Sequence, residues 1–319
     1  MNSRPLIAAA VLAAIALPTR VQSQPVYAPG NIPDHWLTGG PDCSELQQDF
    51  QIVHYNENMY ILREAGCVHH EKPFLFMLFG QNKVMLLDTG AGPNTDPVSG
   101  REPNVRAAVD FVIKEWSKAH NRTSIHLVVV HLHSHFDHIW GDPQFINRPD
   151  TTFVPPASVQ VLIDFFGFKR WPKDIVQYDL GNRVLDIIAT PGHDDTELAI
   201  YDRQTGILLV GDTLYPGRLY INGTADEYQA SIQRMVDFTA TRTTVHVMGT
   251  HIERRAPYID WPIFEHYQPI EMPLQFGRSI LLELLEACKL RDRDGKIVQK
   301  IYRDFTTCAN YPNCNPINK

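Results

Sequence analysis

The sequence predicts an α/β fold in which helices cover β-sheets. Short apolar runs rich in β-branched residues recur along the chain, with turn-forming residues between them. Segments in which apolar residues follow helical spacing separate some of these runs. The resulting order of strand, helix and strand favours packed layers of helices and sheets over an all-β barrel.

The first half of the chain contains two predicted strands, a helix and a third strand. Residues 74–79 and 84–87 are apolar and flank a polar turn at 80–83, as expected for adjacent strands. Residues 104–120 carry apolar side chains at helical spacing. The apolar run at 125–130 predicts a buried strand that ends directly before a cluster of histidines.

The second half of the chain repeats this pattern. Strands are predicted at 184–189 and 245–248, and a hairpin joins the runs at 198–202 and 207–210. A T-x-x-E capping box predicts a helix that begins after Thr224. Another helix is predicted near the C-terminus, where residues 278–289 place apolar side chains on one face; these are Ile280, Leu281, Leu284, Leu285 and Cys288.

Three histidines and an aspartate lie within six positions after the predicted strand at 125–130. They form the H-x-H-x-D-H array of His133, His135, Asp137 and His138. Neutral imidazole and carboxylate groups suit zinc and its first-row neighbours as ligands. Active-site groups of layered α/β proteins gather just beyond the carboxyl ends of strands. The array therefore predicts a metal site at the edge of a sheet.

Other potential ligands also follow predicted strands. His193 ends a T-P-G-H motif, Asp212 lies in G-D-T-L-Y, and His251 ends G-T-H, while Asp88 begins an upstream D-T-G. This succession resembles the metallo-β-lactamase superfamily over roughly residues 50–255. The resemblance implies an αββα sandwich, which is more specific than the α/β class that the pattern alone predicts.

The resemblance also implies a dinuclear metal site, since seven ligands are more than one tetrahedral site can use. The ligands it implies for the first ion are His133, His135 and His193; those for the second are Asp137, His138 and His251; and Asp212 bridges the two. We expect two divalent ions, with zinc preferred. A hydroxide shared by the two ions would be the nucleophile.

Several residues receive predicted roles around this site. Asp137 is expected to orient the nucleophile and pass a proton to the leaving group, in addition to binding metal. Tyr215 lies where lactonases of the superfamily carry a tyrosine that assists the substrate carbonyl; packing at a strand end is the alternative. Trp140 and Phe136 are predicted to wall the cavity. Arg254, with its neighbour, could clamp a substrate carboxylate.

Two more polar residues near the array are predicted to lie outside the ligand set. Asp88 is expected to hold a ligand histidine or the sheet ends, because such outer partners fix ring tautomers. His131 lies two residues before His133, and the pattern of the superfamily leaves it unbound to metal.

The N-terminus has the features of a secretory signal at residues 1–23, with Arg4 before an apolar stretch too short to span a bilayer. A retained membrane anchor is the alternative. We predict an extended lead-in at 24–50 and a hydrolase domain with a C-terminal helix and tail at 51–319. The protein is expected in the periplasm or outside the cell, with no membrane span after cleavage.

Charge and cysteine content fit an exported protein. The formal charge is −7, and cleavage after residue 23 would remove two arginines and no acid, which leaves about −9. A net acidic chain is a poor partner for nucleic acid, and the resemblance implies a small-molecule substrate as the partner. An odd count of five cysteines leaves at least one thiol free or paired with another molecule; a local loop between Cys308 and Cys314 is one pairing that the sequence suggests, while the disulfide connectivity stays open. The sequence leaves the oligomeric state open.

The predicted function is hydrolysis of small acyl substrates such as esters or lactones by a metal-bridging hydroxide. The first alternative is a β-lactamase, which export favours but which Asp212 disfavours, because many β-lactamases of the superfamily carry cysteine or no ligand there. The second alternative is a non-catalytic metal-binding protein on the same fold. A complete ligand set that includes Asp137 argues against it.

Overall fold

The computed structural model describes residues 27–46, 48–92, 102–309 and 314, so the predicted signal at 1–23 lies outside the described residues. No regular helix or strand occurs in the described part of the lead-in before Phe50, where the first strand begins. No helix in the described ranges combines the length and apolar character that a membrane span requires.

Two six-stranded sheets form the centre of the fold. The first has its strands in the order β1 to β6: β1 (Phe50–Asn56), β2 (Met59–Glu64), β3 (Phe74–Phe79), β4 (Lys83–Leu87), β5 (His126–Val130) and β6 (Thr151–Phe153). Consecutive strands from β1 to β4 pair antiparallel, whereas β5 pairs parallel with β4 and β6 pairs parallel with β5.

The second sheet has the order β15-β12-β10-β9-β8-β7. Its strands are β7 (Ile175–Asp179), β8 (Val184–Ala189), β9 (Leu198–Asp202), β10 (Ile207–Leu209), β12 (His246–Met248) and β15 (Gln275–Phe276). Three short strands form a third sheet and two more form a ribbon: β11 (Arg218–Tyr220), β16 (Lys300–Ile301) and β17 (Thr306–Cys308), then β13 (Arg254–Ala256) and β14 (Ile259–Asp260).

Five α-helices accompany the sheets among the described residues. They are α1 (Val105–Ala119), α2 (Phe136–Ile139), α3 (Val159–Phe166), α4 (Ala225–Thr239) and α5 (Ser279–Cys288). Thr224 is the N-cap of α4, as the predicted capping box requires, and its side chain accepts a hydrogen bond from the Glu227 amide at 3.2 Å.

Three apolar clusters correspond to the three interfaces of a four-layer sandwich. One lies between the two sheets, the second packs α1 on the outer face of the first sheet, and the third packs α4 and α5 on the outer face of the second. Strand β3 is apolar at every position because both of its faces are buried. Phe74, Phe76 and Leu78 face the central cluster, while the alternating residues face α1. The αββα sandwich is confirmed.

The prediction missed the hairpin of β1 and β2. Strand β1 contains polar residues such as Gln51 and His54 and is only partly buried, since it lies at the edge of its sheet. A half-exposed edge strand has a weak apolar signal in the sequence. The predicted central strands were found because burial on both faces requires a continuous apolar run.

Two disulfides are present. The predicted bridge between Cys308 and Cys314 is confirmed, and Cys43 pairs with Cys67, which attaches the lead-in to the loop between β2 and β3. Cys288 is the remaining cysteine and has a buried free thiol in α5.

Candidate metal centre

The seven predicted ligands meet at one edge of the sandwich because of the direction of their strands. The array follows β5, which runs parallel to β4, so Asp88 and the array leave the first sheet at the same edge. In the second sheet, β10 and β12 are also parallel, and they lead into Asp212 and His251. His193 follows β8 in the same sheet.

The ligands form two groups that could each hold an ion. One group contains His133, His135 and His193; the other contains Asp137, His138, Asp212 and His251. Within the first group, Nδ1 of His135 lies 3.0 Å from Nε2 of His133 and 2.9 Å from Nε2 of His193.

Asp212 lies between the two groups and presents one carboxylate oxygen to each. Its Oδ2 is 3.6 Å from Nε2 of His193, and its Oδ1 is 3.2 Å from Nε2 of His251. This arrangement fits a carboxylate that bridges two ions. The Asp212 side chain also accepts a hydrogen bond from the Thr250 hydroxyl.

The second nitrogen of each ligand histidine faces an oxygen atom of the protein. Asp88 fulfils its predicted role, because its Oδ2 lies 2.9 Å from Nδ1 of His138. The other pairs were not predicted: His193 Nδ1 with the Tyr220 carbonyl at 2.7 Å, His251 Nδ1 with the Glu71 carbonyl at 2.9 Å, His133 Nδ1 with Glu197 Oε2 at 3.5 Å, and His135 Nε2 with Asp194 Oδ2 at 3.8 Å. Such partners orient an imidazole toward a metal.

Glu197 also shapes the turn that carries Asp212. Its Oε1 accepts hydrogen bonds from the amides of Asp212 and Thr213 at 2.9 and 3.2 Å. Gly211 has a φ of +53°, and a Cβ atom there would lie 2.3 Å from Glu197 Oε1. Glycine is therefore required for this approach. Glu197 could have been noticed in the sequence as an acidic residue four positions after the predicted ligand His193.

Burial and neighbouring charges shift the pKa values of the ligand side chains in different directions. Burial lowers the pKa of His133 and of His193, so both imidazoles stay neutral near pH 7. Burial opposes ionisation of Asp212, but His251 and His138 outweigh it and hold the pKa of its carboxyl well below the usual range. The carboxylates of Asp212 and Asp137 in turn raise the pKa of His251 against its burial.

The contacts between the histidines test whether these residues fit a cation. Nδ1 of His138 faces Asp88 Oδ2 and Nδ1 of His251 faces the Glu71 carbonyl, so the Nε2 atoms of both rings point into the second group. These two Nε2 atoms lie 3.2 Å apart and both face carboxylate oxygens of Asp137 and Asp212. Two ring nitrogens that face each other beside two carboxylates form a site that favours positive charge, and a divalent ion would supply it.

The described residues leave a cavity of about 280 Å³ above the two groups. Four of the ligands reach its surface: His135, Asp137, His193 and Asp212. The remaining described walls come from Glu71, Phe136, Tyr215, Tyr220 and Asn222. Phe136 therefore lies where it was predicted, and the Asp137 carboxylate is accessible to a bound substrate.

Two predicted substrate residues lie elsewhere. Arg254 is fully buried, and its guanidinium pairs with Asp260 at 2.7 Å, so the predicted substrate clamp is wrong. Its neighbour Arg255 packs over the Trp261 ring, 5.3 Å from the ring centroid. Trp140 is absent from the described walls of the cavity, and its indole donates to Glu102 Oε2 at 2.8 Å. Arg254 also donates to Thr306 Oγ1 at 2.6 Å, so side-chain partners distant in sequence hold both Arg254 and Trp140 away from the cavity.

The structure corrects the proposed carbonyl-assisting role of Tyr215. Its ring lines the cavity, with its centroid 5.3 Å from that of His251, but its hydroxyl donates to the Arg218 carbonyl. A phenol has one proton, so the hydroxyl cannot also donate to a substrate in this arrangement. His131 lies outside both ligand groups, as predicted, and its Nε2 contacts Asp142 Oδ1 at 2.7 Å.

The chain is similar to several known proteins. The chain is 29% identical over 160 residues to a hydroxyacylglutathione hydrolase of Ectopseudomonas mendocina (strain ymp), an alignment that covers 49% of this chain and 57% of that protein. It is 24% identical over 235 residues to the "Beta-lactamase-like protein 2 homolog" of Caenorhabditis elegans, covering 73% and 74% of the two chains. The chain spans about half the length of the hydroxyacylglutathione hydrolases that it matches.

A solved metallo-beta-lactamase from Pontibacter korlensis aligns with a TM-score of 0.47 and 13% identity, over 76% of this chain and 100% of that one. The profile of the metallo-beta-lactamase superfamily matches residues 74–243, which is just over half of the chain. That match includes the array, His193 and Asp212. On this basis the chain belongs to the metallo-β-lactamase superfamily.

Proposed function

We propose that this protein is an exported, zinc-dependent hydrolase of small acyl substrates such as esters or lactones. The observation that carries the proposal is the position of Asp212, which presents one oxygen to each ligand group at the floor of an open cavity. The similarity to hydroxyacylglutathione hydrolases supports acyl chemistry as the reaction class.

The chain's own residues would divide the work of hydrolysis. His133, His135 and His193 would hold one ion, the second group would hold the other, and Asp212 would contact both. Bound zinc ions supply Lewis acidity that lowers the pKa of water toward about 7 and polarises an acyl carbonyl. The aromatic rings of Phe136, Tyr215 and Tyr220 would keep bulk water from the reacting acyl group.

Asp137 would carry the proton. Its Oδ2 lies 3.3 Å from Nε2 of both His138 and His251, and these histidines hold the pKa of its carboxyl well below the usual range despite burial. The ionised carboxylate can take a proton from the attacking water as the new acyl–oxygen bond forms. It can then return that proton to the leaving group as the original acyl bond breaks, which yields an acid and an alcohol.

A hydrolysis panel on zinc-loaded protein tests this proposal. We expect the highest kcat/KM on an aryl ester or lactone, complete loss of turnover after chelation, and recovery when zinc is restored. A thioester, a β-lactam and bis(4-nitrophenyl) phosphate complete the panel. Preference for the β-lactam would support the alternative of a β-lactamase, and preference for the phosphodiester would contradict acyl chemistry. A protein that binds two ions and cleaves none of these compounds would be a non-catalytic metal-binding protein.

Export is the second part of the proposal. It rests on the signal-like segment at 1–23 and on the pairing of Cys43 with Cys67 and of Cys308 with Cys314, since disulfides persist in oxidising compartments. We expect the mature chain in the periplasm or culture medium, with an N-terminus near residue 24. Recovery of the full-length chain in the cytoplasm or in the membrane fraction would contradict cleaved export.

A further inference from the structure

Outside the two ligand groups, the described cavity wall is acidic and aromatic. Apart from the metal-binding residues, the described walls consist of one acid, three aromatic rings and one amide. No lysine or arginine occurs among these described wall residues. A substrate that enters this cavity therefore meets a carboxylate and aromatic faces beyond the metal centre.

The basic residues of the surrounding structure are engaged elsewhere. The Lys72 ammonium is buried and donates to the carbonyls of His70 and Glu265. Arg218 is buried and pairs with Glu253 at 3.0 Å. These groups cannot reach a substrate carboxylate without losing their partners.

Glu71 is the acid of the wall, and its main chain and side chain have separate tasks. Its carbonyl accepts the Nδ1 proton of His251, which fixes the position of this loop against the metal centre. Its side chain is 32% exposed and lines the cavity, with Oε1 3.3 Å from Nε2 of His70. Its carboxylate is not a member of either ligand group. A substitution of the side chain can therefore leave the support of His251 in place.

We propose that this cavity selects acyl substrates that carry a positively charged ammonium group, and that Glu71 is the residue which determines this specificity. The inference rests on the proposed function. A carboxylate attracts an ammonium group, and the faces of Phe136, Tyr215 and Tyr220 offer additional cation–π attraction. A substrate carboxylate at the same position would meet the like charge of Glu71.

Three 4-nitrophenyl esters of equal length test this specificity. Their tails end in a trimethylammonium group, in a tert-butyl group of the same shape without charge, or in a carboxylate. We expect wild-type kcat/KM to be about 10-fold higher for the cationic ester than for the neutral one, with the carboxylate ester slowest. In Glu71→Gln, the preference of cationic over neutral ester should fall to about 2-fold, the part that the aromatic rings supply.

A binding measurement provides a readout that does not depend on turnover. Calorimetry with non-hydrolysable amides that carry the same tails should show the same charge preference in Kd and the same loss in Glu71→Gln. The matched control is Glu102→Gln, because that carboxylate contacts Trp140 outside the described cavity wall; it should retain the wild-type preference. Elemental analysis should find about two ions in all three proteins.

The outcomes separate this inference from the proposed function. Equal or better cleavage of the neutral or carboxylate ester by wild type would overturn the inference while acyl hydrolysis stands. An unchanged preference in Glu71→Gln, or loss of metal from that variant, would also overturn it. If no ester is cleaved but the cationic amide still binds best in a Glu71-dependent way, the charge inference stands and the proposed function fails.

Discussion

Replacing Asp137 with alanine is expected to lower kcat on the best acyl substrate by about 10²-fold or more, the usual scale for loss of a general acid–base group. The carboxylate lines the cavity and contacts both His138 and His251, so the substitution removes a metal ligand and the proton carrier together. Steady-state kinetics on protein of known zinc content measures the effect.

Asp137→Asn separates the two tasks of this residue. The amide keeps the shape and one oxygen of the side chain but cannot accept a proton on that oxygen at neutral pH. We therefore expect a similar loss of kcat with zinc content close to that of wild type. His131→Ala is the control from the same segment, because His131 contacts Asp142 and no member of the ligand groups. Equal losses from Asp137→Ala and His131→Ala would show that the register of the array has been misread.

Asp212→Ala is expected to reduce zinc bound at saturation from about two ions per chain to about one. Each Asp212 oxygen faces a different ligand group, so its removal leaves each site with three protein ligands and takes away the negative charge between the two cations, which then repel each other more strongly. Elemental analysis of protein purified without chelator gives the stoichiometry, and turnover should fall with the loss of the second ion.

Asp194→Asn is the matched control for this measurement. Asp194 lies 3.8 Å from Nε2 of His135 but is not a member of either ligand group. Loss of such an outer partner weakens metal affinity by about 10–100-fold without removing a ligand, so two ions should still bind at saturating zinc. Two ions in Asp212→Ala, or only one in the wild type, would exclude the bridging role of Asp212.

The sequence by itself determined the layered fold and the residues that form the metal centre. Buried strands such as β3 and β10 must be apolar along their length, and their ends are marked by polar motifs. Because parallel strands of one sheet end at the same edge, Asp88 and the array converge after β4 and β5, and Asp212 and His251 converge after β10 and β12. The array and the motifs after the other strands carried the resemblance to the metallo-β-lactamase superfamily, and that resemblance named all seven residues.

Only the tertiary structure decided the partners of the site and the task of the polar residues around it. The Glu71 carbonyl meets His251 across 180 positions of the chain, and no local pattern marks such a contact. The same holds for Arg254, whose guanidinium also donates to the Arg303 carbonyl, 49 positions away. The local spacing of residues predicts which side chains share a face of a helix or strand, or lie together at a strand end. The direction of a hydroxyl, guanidinium or carboxylate depends on which distant atoms can satisfy its hydrogen bonds, and those atoms become neighbours only when the layers pack.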